Sequence, residues 1–240
     1  MTQKPLISEQ AAPWPPPFSV RVSPKAKYAR LRILPGKGLE VVLPRGADPA
    51  TAPRIVENHK QWICRALKRV CGTEPPAAEP LLPEEMLLQG GQVRLPIVYG
   101  AAPTCGMEGV VRLRAERDNK ARAARELQGW VRKHAFRMLG GELASLAEKH
   151  GMTYASCRFR RQKSRWGSCS SRGTLSLNSC LIFLPPELGR HILLHELAHT
   201  RHMNHGPGFW KTLFAMEPDA LALDRQLRSA WRHVPAWMWL

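Results

Sequence analysis

Residues 191–210 read HILLHELAHTRHMNHGPGFW, an apolar run carrying five histidines. His195, Glu196 and His199 spell HExxH. On a helix of 3.6 residues per turn, positions i and i+4 point the same way, so His195 and His199 can offer imidazole nitrogens to one metal ion. Glu196 then falls beside the ion, where a carboxylate can take a proton from an activated water and later pass it to a leaving group. A hydrolytic zinc takes three protein ligands and keeps a fourth position open. His205, six residues beyond His199, has the spacing of the extended HExxHxxGxxH pattern, with His202 standing where that pattern has Gly. Asn204 and Gly206-Pro207 supply other turn residues and put the expected bend at Met203 to Gly206. If the helix continued, His202 would lie about 10.5 Å along the axis from His195, too far for one tetrahedral ion. The expected ligands of a single Zn2+ are therefore His195, His199 and His205, with Glu196 as catalytic base. His191 and His202 are expected to pack or to support the ligands.

At 240 residues the chain can bury one substantial core with a small appendage. A formal charge of +17 and a pI of about 10.4 imply attraction to an anionic ligand or nucleic acid, unless the excess is only a solvated basic surface. The six cysteines, Cys64, Cys71, Cys105, Cys157, Cys169 and Cys180, form no CxxC pair. That argues against a disulfide framework. Cys169 and Cys180 flank the site in sequence, so a thiolate ligand stays open beside the commoner buried apolar role. The amino end lacks an apolar run of signal-peptide length, and no window approaches the roughly 18 apolar residues of a membrane span. A cytoplasmic, reduced protein with no membrane partner is expected; the oligomeric state is not legible.

In chain order, residues 1–18 are Pro-rich and read as a disordered arm. Residues 19–71 read as a small β-rich part with a helix. Its three alternating runs suggest an antiparallel sheet turning at Gly36-Lys37-Gly38, and Asp48-Pro49 opens a helix reaching about Val70. Residues 72–83 (GTEPPAAEPLLP) are the candidate linker, and residues 84–240 the second domain. There a hairpin is expected about Gly90-Gly91, joined by a run at Val110 to Leu113. A helix from about Asn119 follows, kinked or broken at Gly140-Gly141. Arg161, Lys163 and Arg165 recur at every second residue, so on a strand they would line one face ahead of Trp166. A turn at Ser170 to Gly173 and a buried strand over Thr174 to Leu184 complete a hairpin beside the metal helix. Its edge could bind an extended peptide by strand addition. Phe209 and Trp210 are the expected aromatic wall behind the ligand loop. The apolar end, Trp237 to Leu240, either packs on the body or makes a contact.

Taken together, RWGSC (165–169), LSLN (175–178), HELAH (195–199) and NHGPGFW (204–210) resemble the YgjP-like zincin metallopeptidases, relatives of the SprT-like and WLM groups. The resemblance implies an α+β fold: a zincin-like metallopeptidase core, with the metal-binding helix packed beside a small antiparallel sheet, and an amino-terminal β-rich part. It also implies zinc on His195, His199 and His205, Glu196 as general base, and a structural or substrate-rim role for Arg165, Trp166 and Ser168.

Three functions stay in view. The first is a zinc peptidase acting on a protein or peptide substrate. The second keeps the metal but hydrolyses a nucleoside triphosphate, with Arg161, Lys163 and Arg165 clamping phosphates; the lack of a Gly-rich phosphate loop counts against it. The third is a nucleic-acid-associated zinc protein. A structural zinc would call for four protein ligands, which favours an open, hydrolytic site. Arg161, Lys163, Arg165 and Trp166 are the expected substrate-binding residues.

Overall fold

The structure, a computed structural model, describes residues 14–34, 38–71, 82–100 and 109–240. The arm up to residue 13, Gly36-Lys37 of the expected turn and residues 72–81 of the linker lie outside the described residues. The chain divides into two compact units, Met1–Ala77 and Ala78–Leu240.

In the first unit, strands β1 (Phe18–Ser23), β2 (Arg30–Leu34) and β3 (Gly38–Pro44) form a sheet of order β1-β3-β2. β2 pairs antiparallel with β3, but β1 pairs parallel with it, so the sheet is mixed rather than antiparallel. The reason lies in β3: Leu39, Val41 and Leu43 are fully buried, while Val20 and Val22 of β1 are exposed. The most apolar strand takes the centre, and both flanking strands pair with it. The expected helix from Asp48 is also divided. Asp48 caps a 3-10 turn by accepting from the Ala50 N–H at 2.9 Å; α1 (Ala52–Asn58) follows, and α2 (Lys60–Cys71) begins after His59 leaves helical geometry. Trp14, at the end of the Pro-rich arm, packs on this core and hydrogen-bonds Glu57.

The second unit is organised around α3 (Lys120–Lys149), whose 30 residues run unbroken through Gly140-Gly141. Asn119 caps it, accepting from the Arg122 N–H at 3.2 Å. Leu127, Val131, Ala135, Leu139, Leu143 and Ala147 recur every fourth residue and are all buried. The stripe continues on both sides of the two glycines, and its packing outweighs their cost of about 1 kcal/mol each. β4 (Glu85–Leu88) and β5 (Val93–Val98) make the expected hairpin, and β6 (Val111–Arg112) joins β5 in parallel. In the turn of that hairpin Gly90 has φ +67°, and a Cβ there would sit 3.2–3.4 Å from Pro185. A glycine therefore lets the turn press on the residue that opens α4 (Pro186–Ala198).

The β region differs most from expectation. β7 (Ser156–Arg160) pairs parallel with β8 (Thr174–Asn178), and β8 passes into a buried 3-10 segment, Ser179–Phe183, not a longer strand. On the other side of β8, residues 166–170 run antiparallel. Ser168 and Ser176 exchange both backbone hydrogen bonds (3.0 and 2.8 Å), and the Asn178 N–H reaches the Trp166 carbonyl at 2.8 Å. The hairpin beside the metal helix thus involves residues 166–178, in a mixed sheet. The chain closes with α5 (Pro207–Met216), α6 (Ala220–Leu227) and two 3-10 turns carrying Trp231 and Trp237. Met238 is fully buried, so the carboxyl end packs on the body. Among the described residues no helix is long and apolar enough to cross a membrane.

Candidate metal centre

Helix α4 is buried almost all round, with Leu193, Leu194, Leu197 and Ala198 inaccessible, as a helix apolar on every side must be. It fixes the His195 and Glu196 side chains within the core. The helix ends at Ala198, with His199 as its C-cap, a turn earlier than the bend expected at Met203 to Gly206. Residues 199–206 then fold back, held by the His202 N–H on the Ala198 carbonyl at 3.0 Å and the Gly206 N–H on the Asn204 carbonyl at 2.8 Å. Asn204 needs no left-handed conformation. Gly206 caps α5, and Pro207 occupies its first turn.

This path brings His205 back to the helix. Ligand atoms of His195, His199 and His205 lie within 4.8 Å of one another, and the Nε2 atoms of His195 and His205 are 3.1 Å apart. Beneath the three rings lies the fully buried Phe209, with ring centroids 5.0, 4.6 and 4.6 Å from them. The expected aromatic wall is therefore chiefly Phe209, with Trp210 next to His205 at 6.4 Å. His199 Nδ1 lies 3.0 Å from the His202 carbonyl. Donation of that N–H fixes the tautomer and leaves Nε2 with a free lone pair. His202 thus supports the site through its backbone.

Electrostatics suit a cation. Burial, then the neighbouring His199, lowers the pKa of His195 to about 4, so its ring is neutral and able to ligate near pH 7. Burial also lowers His199. Glu196 is 5% exposed and its Oε2 has no hydrogen-bond partner; burial pushes its pKa up to about 7, with Arg165 pulling the other way. Three imidazoles converging beside a buried, unpartnered carboxylate are the donor set and second charge that a divalent ion such as zinc fits. Cys169 and Cys180 do not join the converging groups. Burial raises both thiols, Cys180 to about 12, and Cys64, Cys157, Cys169 and Cys180 are unpaired.

His191, with Asp224 and His195, makes a second converging group. Its ring bridges Glu217 at 2.6 Å and Asp224 at 3.2 Å. Burial pulls its pKa down, but the two carboxylates more than offset that and the net shift is upward. A ring bonded at both nitrogens to acids ties α4 to the end of α5 and to α6, the supporting role expected of it.

The expected substrate row does not form. β7 stops at Arg160, so Arg161, Lys163 and Arg165 lie in a loop and do not alternate along a strand. Arg161 donates to the Met238 carbonyl at 2.6 Å; Lys163 and Arg165 are exposed. What shapes the loop is Asn178, fully buried. Its Nδ2 donates to the Gln162 and Arg165 carbonyls at 2.8 and 2.9 Å, and its Oδ1 accepts from the Cys180 N–H at 3.1 Å. Trp166 is buried and stacks on Trp231, centroids 3.9 Å apart. Gly167 lies against Glu196: a Cβ there would come within 2.6–2.7 Å of the glutamate Cγ and Cδ. Asn178 and Gly167 carry no chemical motif, and the only hint of them in the sequence is their place in the LSLN and RWGSC blocks; Trp231 lies outside every block.

The profile of the YgjP-like metallopeptidase domain matches residues 27–230. No curated protein matches the chain. Among solved structures, the crystal structure of the metallopeptidase zymogen of Pyrococcus abyssi abylysin is similar at 25% identity and a TM-score of 0.35, over 38% of this chain and 91% of that one.

Proposed function

The chain belongs to the YgjP-like metallopeptidase family, metal-dependent hydrolases of peptide substrates, and from that premise we propose that His195, His199 and His205 hold one zinc ion and Glu196 is the general base. When bound, the ion acidifies water and polarises the scissile carbonyl. Glu196, buried and unpartnered, takes the proton of the attacking water and returns it to the leaving amine; its elevated pKa suits both halves of that transfer. Phe209 keeps the three imidazoles in place and water out beneath them.

Peptide binding falls to the edge segment 166–170. Trp166, Ser168 and Ser170 pair inward with β8, so antiparallel geometry turns the backbone groups of Gly167 and Cys169 outward. An extended peptide can add there as a further strand beside Glu196. Without a row of cations on a strand, the phosphoanhydride reading loses its clamp. The amino-terminal β-rich part, residues 19–71, and the catalytic part, residues 84–240, are proposed as separate domains.

The observation that carries the reading is the convergence of three ligand nitrogens within 4.8 Å beside an orphaned carboxylate. Metal analysis and hydrolysis of an unfolded protein test it. Glu196→Gln is expected to keep stoichiometric zinc and lose roughly 10²–10⁴-fold in rate, whereas His205→Ala is expected to lose the zinc. Full zinc in His205→Ala would overturn the ligand set.

A further inference from the structure

A cleft of about 560 Å³ lies between α3 and β7, lined by Trp130, Arg132, Lys133, Phe136, Arg137 and Phe159. None of these residues belongs to the metal centre. The volume falls in the range of about 300–1,000 Å³ typical of small-molecule sites. Phe136 is 59% exposed and meets the buried Phe159 edge to face, centroids 6.2 Å apart. Trp130 stacks on His134 at 4.5 Å, which holds its ring in place. Single exposed apolar side chains are ordinary, but three aromatic residues gathered in one concavity with three cations are not a usual wet helix face. Arg132, Lys133 and Arg137 are exposed, and none makes a hydrogen bond or ion pair with a described residue. They stand in a chain of formal charge +17.

We propose that this cleft binds single-stranded nucleic acid, with bases stacking on Phe136 and Trp130 and the backbone phosphates on Arg132, Lys133 and Arg137. The pairing of aromatic faces with unpaired cations is what an unstacked strand needs, since every base has a π-face and every phosphate a charge. A duplex hides its bases from such a cleft and offers only its phosphates. An acidic peptide would meet the cations but leave the rings without partners.

The test is fluorescence anisotropy of a labelled 20-nucleotide oligothymidine with the full-length, metal-loaded protein, between 50 and 200 mM salt. No hydrolysis is read, so its outcome is separable from that of the peptidase reading. The single strand is expected to bind at least tenfold more tightly than a duplex of equal length or polyglutamate. Phe136→Ala, the loss of an exposed ring, should weaken binding by about fivefold or more while leaving the salt slope unchanged. Arg132→Gln, Lys133→Gln and Arg137→Gln together should lower the log–log salt slope by about 2; Lys25→Gln, Lys27→Gln and Arg54→Gln, in the other unit, should change it less. Equal affinity for duplex or polyglutamate, an unaffected Phe136→Ala, or equal losses from the two triple variants would each overturn the proposal.

Discussion

Gly167 shows how tightly the buried Glu196 side chain constrains its neighbours. A methyl group there meets the Glu196 side chain within 2.6–2.7 Å, a separation at which one of the two must move. Gly167→Ala is therefore expected to displace the carboxylate and cost at least tenfold in hydrolysis while zinc content is retained. Loss of zinc together with activity would show instead that the whole helix had shifted. His134 gives a pH effect away from the metal centre. Burial, then Arg137, lowers its pKa, so below about 6.5 the unfolded chain binds a proton that the folded chain resists. This residue therefore withdraws stability as the pH falls through that value. Urea midpoints at pH 7.5 and 5.5 should drop less in His134→Gln than in the parent protein, and an equal drop would rule the residue out as a source.

At the scale of elements, the carboxyl-terminal segment is the brace of the site. Gln128 donates to the Met238 and Leu240 carbonyls, Arg161 to the Met238 carbonyl, and Trp231 lies flat on Trp166. Met238→Ala is expected to cost about 2–5 kcal/mol in a denaturation curve, as for other fully buried side chains cut to Ala. Arg161 separates two roles. As a brace, Arg161→Gln should lower stability by about 1–2 kcal/mol and leave KM for a peptide substrate unchanged. A raised KM at unaltered stability would restore the residue to substrate binding.

For the molecule as a whole, two measurements bear on organisation. Removing the metal with a chelator should lower the melting temperature, since an ion bound only by the folded state at 100 times its Kd adds about 2.7 kcal/mol. A fragment of residues 78–240 contains the larger core, which reaches back to the buried Leu82. It is expected to fold cooperatively and bind one zinc, as calorimetry and metal analysis would show; a fragment that stays unfolded would mean that the catalytic part does not stand alone.

The sequence by itself determined what depends on short-range periodicity. The i, i+4 spacing of His195 and His199, the return of the chain six residues later and the Pro-opened helices are local, because helix geometry and turn chemistry act within a few residues. The mixed sheets, the unbroken run of α3 through Gly140-Gly141 and the use of Arg161 as a brace were decided only by tertiary structure. Strand partners compete by burial across the chain, as β3 does in taking the centre of its sheet. The stripe from Leu127 to Ala147 overrides two glycines because its packing is non-local. Asn178 acquires its role only when folding removes its amide from water and obliges it to find partners in the Gln162 and Arg165 carbonyls, contacts at separations no local pattern records.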